Sequence, residues 1–199
     1  MSSQFDKLTH YCSDPKKEID DLKDSFSQII SLSGPSSYRP RLALFDKSLS
    51  RVFAVAARPY VDASDFKATV AEMLYSYSAF HAESCILVLD SNIVTDSSTK
   101  DCLNLYFMSD EYCHVVQLIY QIEDNNVLWD DSDIRIDSID LKEHDYVSQE
   151  MVETMYIYTH LDDSPFLPKE LLSYYSFANY QFRTFKELNI SYVDFSTFN

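Results

Sequence analysis

A chain of 199 residues that is 46% hydrophobic and 15% aromatic can bury a core without disulfide or metal staples, and its composition is not that of a disordered chain. Its 32 acidic against 16 basic residues give a formal net charge of −16, which repels phosphate backbones and attracts basic partners. The single glycine, Gly34, excludes the dinucleotide fingerprint, the phosphate loop and the serine-hydrolase elbow, because each needs glycine where the backbone turns tightly or approaches a ligand.

The first predicted element is a helix opened by Asp14-Pro15, an acceptor at the N-cap and proline at the first helical position. Ile19, Leu22, Phe26, Ile29 and Ile30 form its apolar stripe, and Gly34-Pro35 stops it. Arg41–Phe45 and Arg51–Ala57 read as two strands of a hairpin joined by the polar segment 46–50. Phe66, Val70, Met73, Leu74 and Tyr77 then recur at helical spacing, and Cys85–Leu89 is a short apolar run expected to be a strand buried on both faces. A helix feeding an interior strand predicts a two-layer α+β domain with the Ser64 helix at its centre.

The Ser/Thr/Asp-rich stretch Ser91–Asp101 is expected to be an exposed, mobile loop. Cys102–Met108 and Cys113–Ile122 read as strands, the second with Gln117 and Gln121 on a partly wet face. Asp124-Asn125-Asn126 is a turn signal, Val127–Trp129 a brief pairing segment, and Ile134, Ile136 and Ile139 mark an edge segment with charged neighbours. Residues 147–160 carry conflicting helix and strand signals. A last helix begins at Pro168, where Leu171, Tyr175, Ala178, Phe182 and Phe185 form a seam and Tyr174, Phe177 and Tyr180 add further aromatic surface.

The predicted fold is therefore α+β: a mainly antiparallel sheet of about five or six strands, a central packed helix, and flanking N- and C-terminal helices. Residues 1–40 are expected to form a helix and linker, 41–145 the core, and 146–199 an aromatic extension, together one compact domain. Over about residues 41–130 the order of elements resembles that of small bacterial and phage domains. This is a likeness of arrangement only, and it implies no residue role.

No apolar run approaches about 18 residues, and the first seven residues lack the apolar core of a signal peptide, so a cytoplasmic protein with no membrane association is expected. The widely spaced Cys12, Cys85, Cys102 and Cys113 read as buried thiols; Cys102 and Cys113, in neighbouring strands, are the closest pair. No histidine among His10, His81, His114, His144 and His160 has a partner at metal-ligand spacing. The acidic run Asp130-Asp131-Ser132-Asp133 fails as a calcium loop, offering Ile136 and Lys142 where glycine and glutamate are needed. No metal or other cofactor is expected.

The charge is localised. Residues 110–170 hold 16 of the acids against only Arg135, Lys142 and Lys169, and so carry −13 of the −16. That asymmetry is either simple solubility or a recognition surface. The favoured function is a non-enzymatic interaction or adaptor protein that engages a basic protein partner through Asp130, Asp131 and Asp133, with nucleic-acid mimicry as a specific form of it. It would bind no nucleic acid itself. Tyr174, Phe177 and Tyr180 on the C-terminal helix would make a homo- or hetero-oligomeric contact. Two other classes compete: a small metal-dependent enzyme with carboxylates near Asp90, Asp96 and Asp101, with Lys100 and Glu123 nearby, and a viral structural or assembly component.

Overall fold

The structure, a computed structural model, describes residues 4–57, 60–63, 66, 69, 70, 73, 74, 77, 82–94, 98–109, 112–139 and 191–194. Helix α1 spans Pro15–Ser33. Asp14 caps it by accepting the Lys17 N–H at 3.1 Å, and Glu18 stands in the first turn, where the helix dipole favours an anion. It ends at Gly34, whose φ of 82° brings its N–H to the Ile30 carbonyl at 2.8 Å.

Six strands form the body of a curled antiparallel sheet: β1 (Arg41–Phe45), β2 (Arg51–Ala56), β3 (Ser84–Val94), β4 (Thr99–Met108), β5 (Cys113–Glu123) and β6 (Asn126–Ile139). A four-residue β7 (Ser191–Asp194) pairs with β2, giving the order β6-β5-β4-β3-β1-β2-β7. The period of two along each strand divides the core. On one face Phe45, Ile86, Val88, Leu105, Phe107 and Val116 pack against Leu8, Tyr11, Ile19, Phe26 and Ile30 of the N-terminal segment and α1. On the other, Leu42, Leu44, Leu87, Met108 and Val115 pack against Val70, Met73, Leu74 and Tyr77. Both faces being covered, Cys85–Leu89 of β3 is buried residue after residue, as its unbroken apolar run requires.

This architecture overturns the α+β expectation of a central helix with flanking helices. The described chain is mostly sheet, with α1 the one α-helix described from end to end. Phe66, Thr69, Val70, Met73, Leu74 and Tyr77 are helical, but they cover a face of the sheet and do not form the centre. The physical reason is strand length. β3 and β4 pair without interruption from Cys85↔Met108 to Val94↔Thr99, so most of the stretch expected to be a loop, Ser91–Asp101, is paired strand. Its polar residues alternate along the ladder's exposed outer half, and composition alone mistakes that for a loop. Likewise the two short segments expected at 127–129 and 134–139 are one strand, β6. The C-terminal helix with Tyr174, Phe177 and Tyr180, and the ambiguous stretch 147–160, lie outside the described residues. Among the described residues no helix is long and apolar enough to cross a membrane.

Candidate functional site

The acidic run sits on β6, and the pairing of β6 with β5 explains its shape. Glu123 and Asn126 pair across a two-residue turn in which Asp124 and Asn125 take φ of 50° and 62°, the left-handed conformation these residue types tolerate best after glycine. Tyr120 then pairs with Trp129, but Leu118 pairs with Ile134. Residues 130–133 therefore stand opposite the single residue Ile119, as an enlarged β-bulge. The bulge restores register: Val127 and Trp129 before it, and Ile134 and Ile136 after it, pack on the same face as α1. That change from odd to even numbering was the available signal in the sequence.

The bulge brings Asp130, Asp131 and Asp133 together and also neutralises two of them. Asp131 pairs with Lys23 of α1 at 2.5 Å, and the same ammonium lies 5.2 Å from the centre of the Trp129 ring. Asp133 accepts from Arg135 Nε and Nη2 at 2.8 and 2.9 Å and lies 3.4 Å from Lys100 Nζ. The Arg135 guanidinium, then Lys100, hold its carboxyl below the usual carboxylate range. Asp130 Oδ1 accepts the Ser132 N–H and hydroxyl, a local turn that shapes the bulge. Sequence reasoning missed Lys23, Lys100 and Arg135 as the partners, because only the fold brings α1, β4 and β6 together.

Outside the bulge the hairpin is differently charged. Glu123, Asp124 and Asp137 are exposed. Among the described residues, no basic side chain lies within ion-pair distance of them or of Asp130. Strand β6 closes the sheet on that side and, among the described residues, pairs only with β5.

The competing enzyme-like constellation does not assemble on one surface. Asp90 pairs with Leu103 and Asp101 with Tyr120, so both carboxylates lie on the α1 face. Lys100, one residue from Asp101, points to the opposite face. Glu123, three residues beyond Tyr120, does so too. Asp96 lies outside the described residues. The Tyr120 hydroxyl donates to Asp90 Oδ1 at 2.6 Å. Partial burial pushes the Asp90 carboxyl above its usual range, opposed by that hydrogen bond and reinforced by Asp101. Asp90 is still exposed as a residue, so this shift reflects a crowded carboxyl at the surface.

On the second face, a cleft of about 360 Å³ is lined by Lys100, Ile119, Gln121, Leu128 and Asp130, among others. The same face of the sheet carries a polar row: Asn104 donates to Ser91 Oγ at 2.6 Å and accepts from Gln117 Nε2 at 3.1 Å. Among the described residues there is no group of three side chains placed to hold a metal ion. All four cysteines are unpaired and buried. Burial pushes the Cys12, Cys102 and Cys113 thiols up to about 12 and Cys85 well above its ordinary value, so none has the thiolate character of a nucleophile.

Comparison with known proteins returns no matching family, no matching curated protein and no matching solved structure.

Proposed function

We propose that the chain is a non-enzymatic interaction protein whose β5–β6 hairpin engages a basic protein partner. One observation carries the reading: Glu123, Asp124, Asp130 and Asp137 line one hairpin and form no ion pair among the described residues, the nearby cations Arg135 and Lys100 being held by Asp133. Such a surface is a field of one sign, which steers and orients a cationic partner. The surface differs from the one the acidic run suggests. Asp131 and Asp133 are spent on Lys23, Arg135 and Lys100, which favours a basic peptide segment over the phosphate-like row a nucleic-acid mimic needs. The four free thiols fit a reducing compartment and so an intracellular setting. A contact through Tyr174, Phe177 and Tyr180 remains part of the proposal on sequence alone.

The test compares wild type with Glu123→Gln/Asp124→Asn/Asp137→Asn for binding a fluorescent oligolysine, by anisotropy across a salt series. Exposed pairs contribute about 0.2–1 kcal/mol each, so losing three together weakens binding roughly tenfold at low salt. Unchanged affinity would mean that the attraction is the diffuse field of the whole chain, and the hairpin would lose its role.

A further inference from the structure

We infer that the outer edge of β6 pairs with the same edge of a second copy of this chain, antiparallel and about a two-fold axis at Ile136. This goes beyond the basic-partner reading and stands without it. β6 ends the strand order, and among the described residues its pairing is all with β5, so one row of backbone donors and acceptors faces away from the sheet. After the bulge at 130–133 the ladder with β5 runs from Leu118↔Ile134 to Cys113↔Ile139, which leaves a regular stretch of edge for a neighbour.

Pleat and symmetry restrict the register. A two-fold axis perpendicular to the sheet keeps every side chain on its own face, and residues opposite one another must share a face. The axis therefore falls on a residue, which meets its own copy, and the residue before it meets the residue after it in the partner. An axis at Arg135 sets guanidinium against guanidinium and Asp133 against the partner's Asp137. An axis at Asp137 sets carboxylate against carboxylate. An axis at Ile134 runs half of the pairing into the bulge. At Ile136, Arg135 lies against the partner's Asp137, and Asp137 against the partner's Arg135. Ile136 then meets the partner's Ile136 on the α1 face, and Ile134 the partner's Ser138. Opposite charges across a strand pair stabilise it and like charges destabilise it, so the alternation of sign selects the Ile136 register.

The side chains are free to make these contacts. Arg135 and Asp137 are exposed, and Ile134 and Ile136 are half-buried. Asp133 holds Arg135 by Nε and Nη2, while Nη1 is bonded to no described residue. Asp137 forms no ion pair among the described residues. Charges on an edge commonly keep copies apart, but this pattern of charges fits a copy. The formal −16 of each chain opposes association at long range, and physiological salt screens that repulsion beyond about 8 Å while leaving contact pairs in place. An isologous contact uses the same edge on both copies, so this edge closes a dimer and does not propagate. In that dimer Glu123, Asp124 and Asp130 are the acids left to a basic partner.

The test is sedimentation velocity of the full chain over a concentration series at physiological salt, with the charge reversals Arg135→Asp and Asp137→Arg. The paired length is short, so the dimer belongs to the weak, transient class of interface. Wild type is expected to dimerise with rising concentration. Each reversal alone puts like charges across the axis and should weaken the dimer at least tenfold. An equimolar mixture of the two variants restores both opposite-charge pairs and should dimerise, as should Arg135→Asp/Asp137→Arg on one chain. Recovery in the mixture also shows that both variants fold. Asp137→Asn, a milder change at an exposed position, should weaken the dimer by a smaller factor. A wild type that stays monomeric overturns the proposal. A dimer that persists in both reversals overturns it too, because its contact then lies elsewhere. Two folded, monomeric variants that do not associate on mixing would contradict the Ile136 register.

Discussion

Tyr120 reaches from β5 past β4 to donate its hydroxyl to Asp90 Oδ1 of β3 at 2.6 Å. Its ring meanwhile lies edge-on to Phe26 of α1, with centroids 4.9 Å apart. One side chain thus joins three strands and the helix, and it also satisfies a crowded carboxylate. Tyr120→Phe keeps the ring and removes the donor. It is expected to cost about 1 kcal/mol in urea-derived stability at pH 7. A smaller loss below pH 4, where Asp90 is protonated in both variants, identifies the carboxylate as the group that matters.

Asp90 itself gives a pH dependence of definite sign. Its folded carboxyl titrates above its usual range, so its stabilising contribution is complete below the ordinary carboxylate value and is lost as pH rises through the folded one. Asp90→Asn removes that titration. Relative to wild type, the variant should therefore gain stability between pH 3.5 and pH 7. Urea midpoints at the two pH values measure it, and a relative gain toward low pH would reverse the assignment.

His114 behaves in the opposite sense. The Tyr11 hydroxyl lies 2.7 Å from His114 Nδ1, tying the N-terminal segment to β5. Burial, then Lys7 and His10, hold the imidazole below its ordinary value. A group depressed in the folded state stabilises above its unfolded value, near 6.5, and loses that stabilisation as pH falls. Wild type should weaken between pH 7.5 and pH 5.5, and His114→Gln should weaken less over the same interval. Amide exchange at Leu8 and Tyr11, both buried, reports whether the N-terminal segment loosens first.

Asp131 and Asp133 hold the bulge through Lys23, Arg135 and Lys100. Replacing both with asparagine is expected to lower the urea midpoint only slightly, since each pair is surface-exposed on at least one side. Trp129 reports locally, because Lys23 lies over its ring and its Nε1 donates to Ser27 Oγ at 3.1 Å. Its emission should shift in Asp131→Asn and stay unchanged in Asp137→Asn.

Phe26 is the aromatic hub on the α1 face, touching Tyr38, Tyr120 and Trp129 at centroid distances of 4.6, 4.9 and 5.5 Å. Phe26→Ala leaves a void among rings that cannot collapse into it. A loss of about 3–5 kcal/mol is expected by urea unfolding. A loss below 1 kcal/mol would mean that α1 contributes little to the sheet's stability.

How much of this was legible in the sequence depended on the range of the interactions. The cap at Asp14-Pro15 and the stop at Gly34 are local, and the chain states them directly. The apolar run Cys85–Leu89 announced a strand covered on both faces. The outer halves of β3 and β4 were hidden, because Asn92 and Asp101 are polar residues held in strand by pairing with each other, nine residues apart. The helical residues Phe66, Val70, Met73, Leu74 and Tyr77 looked central because their stripe is the strongest local period, while the sheet's dominance rests on pairings of long sequence separation. At the site, the acidic run was visible but its neutralisation was not: Lys23 is 108 residues from Asp131 and Lys100 is 33 from Asp133. Glu123, Asp124 and Asp137, which form no ion pair among the described residues, looked no different from the paired acids until the strands were in register.

The most direct test of the central claim is amide hydrogen exchange across 113–139 with and without saturating oligolysine. Recognition by the β5–β6 hairpin predicts new protection around the turn at 123–126 and along β6, lost in Glu123→Gln/Asp124→Asn/Asp137→Asn. Unchanged exchange along the hairpin, with the oligolysine bound, would contradict it and place the partner's contact elsewhere on the chain.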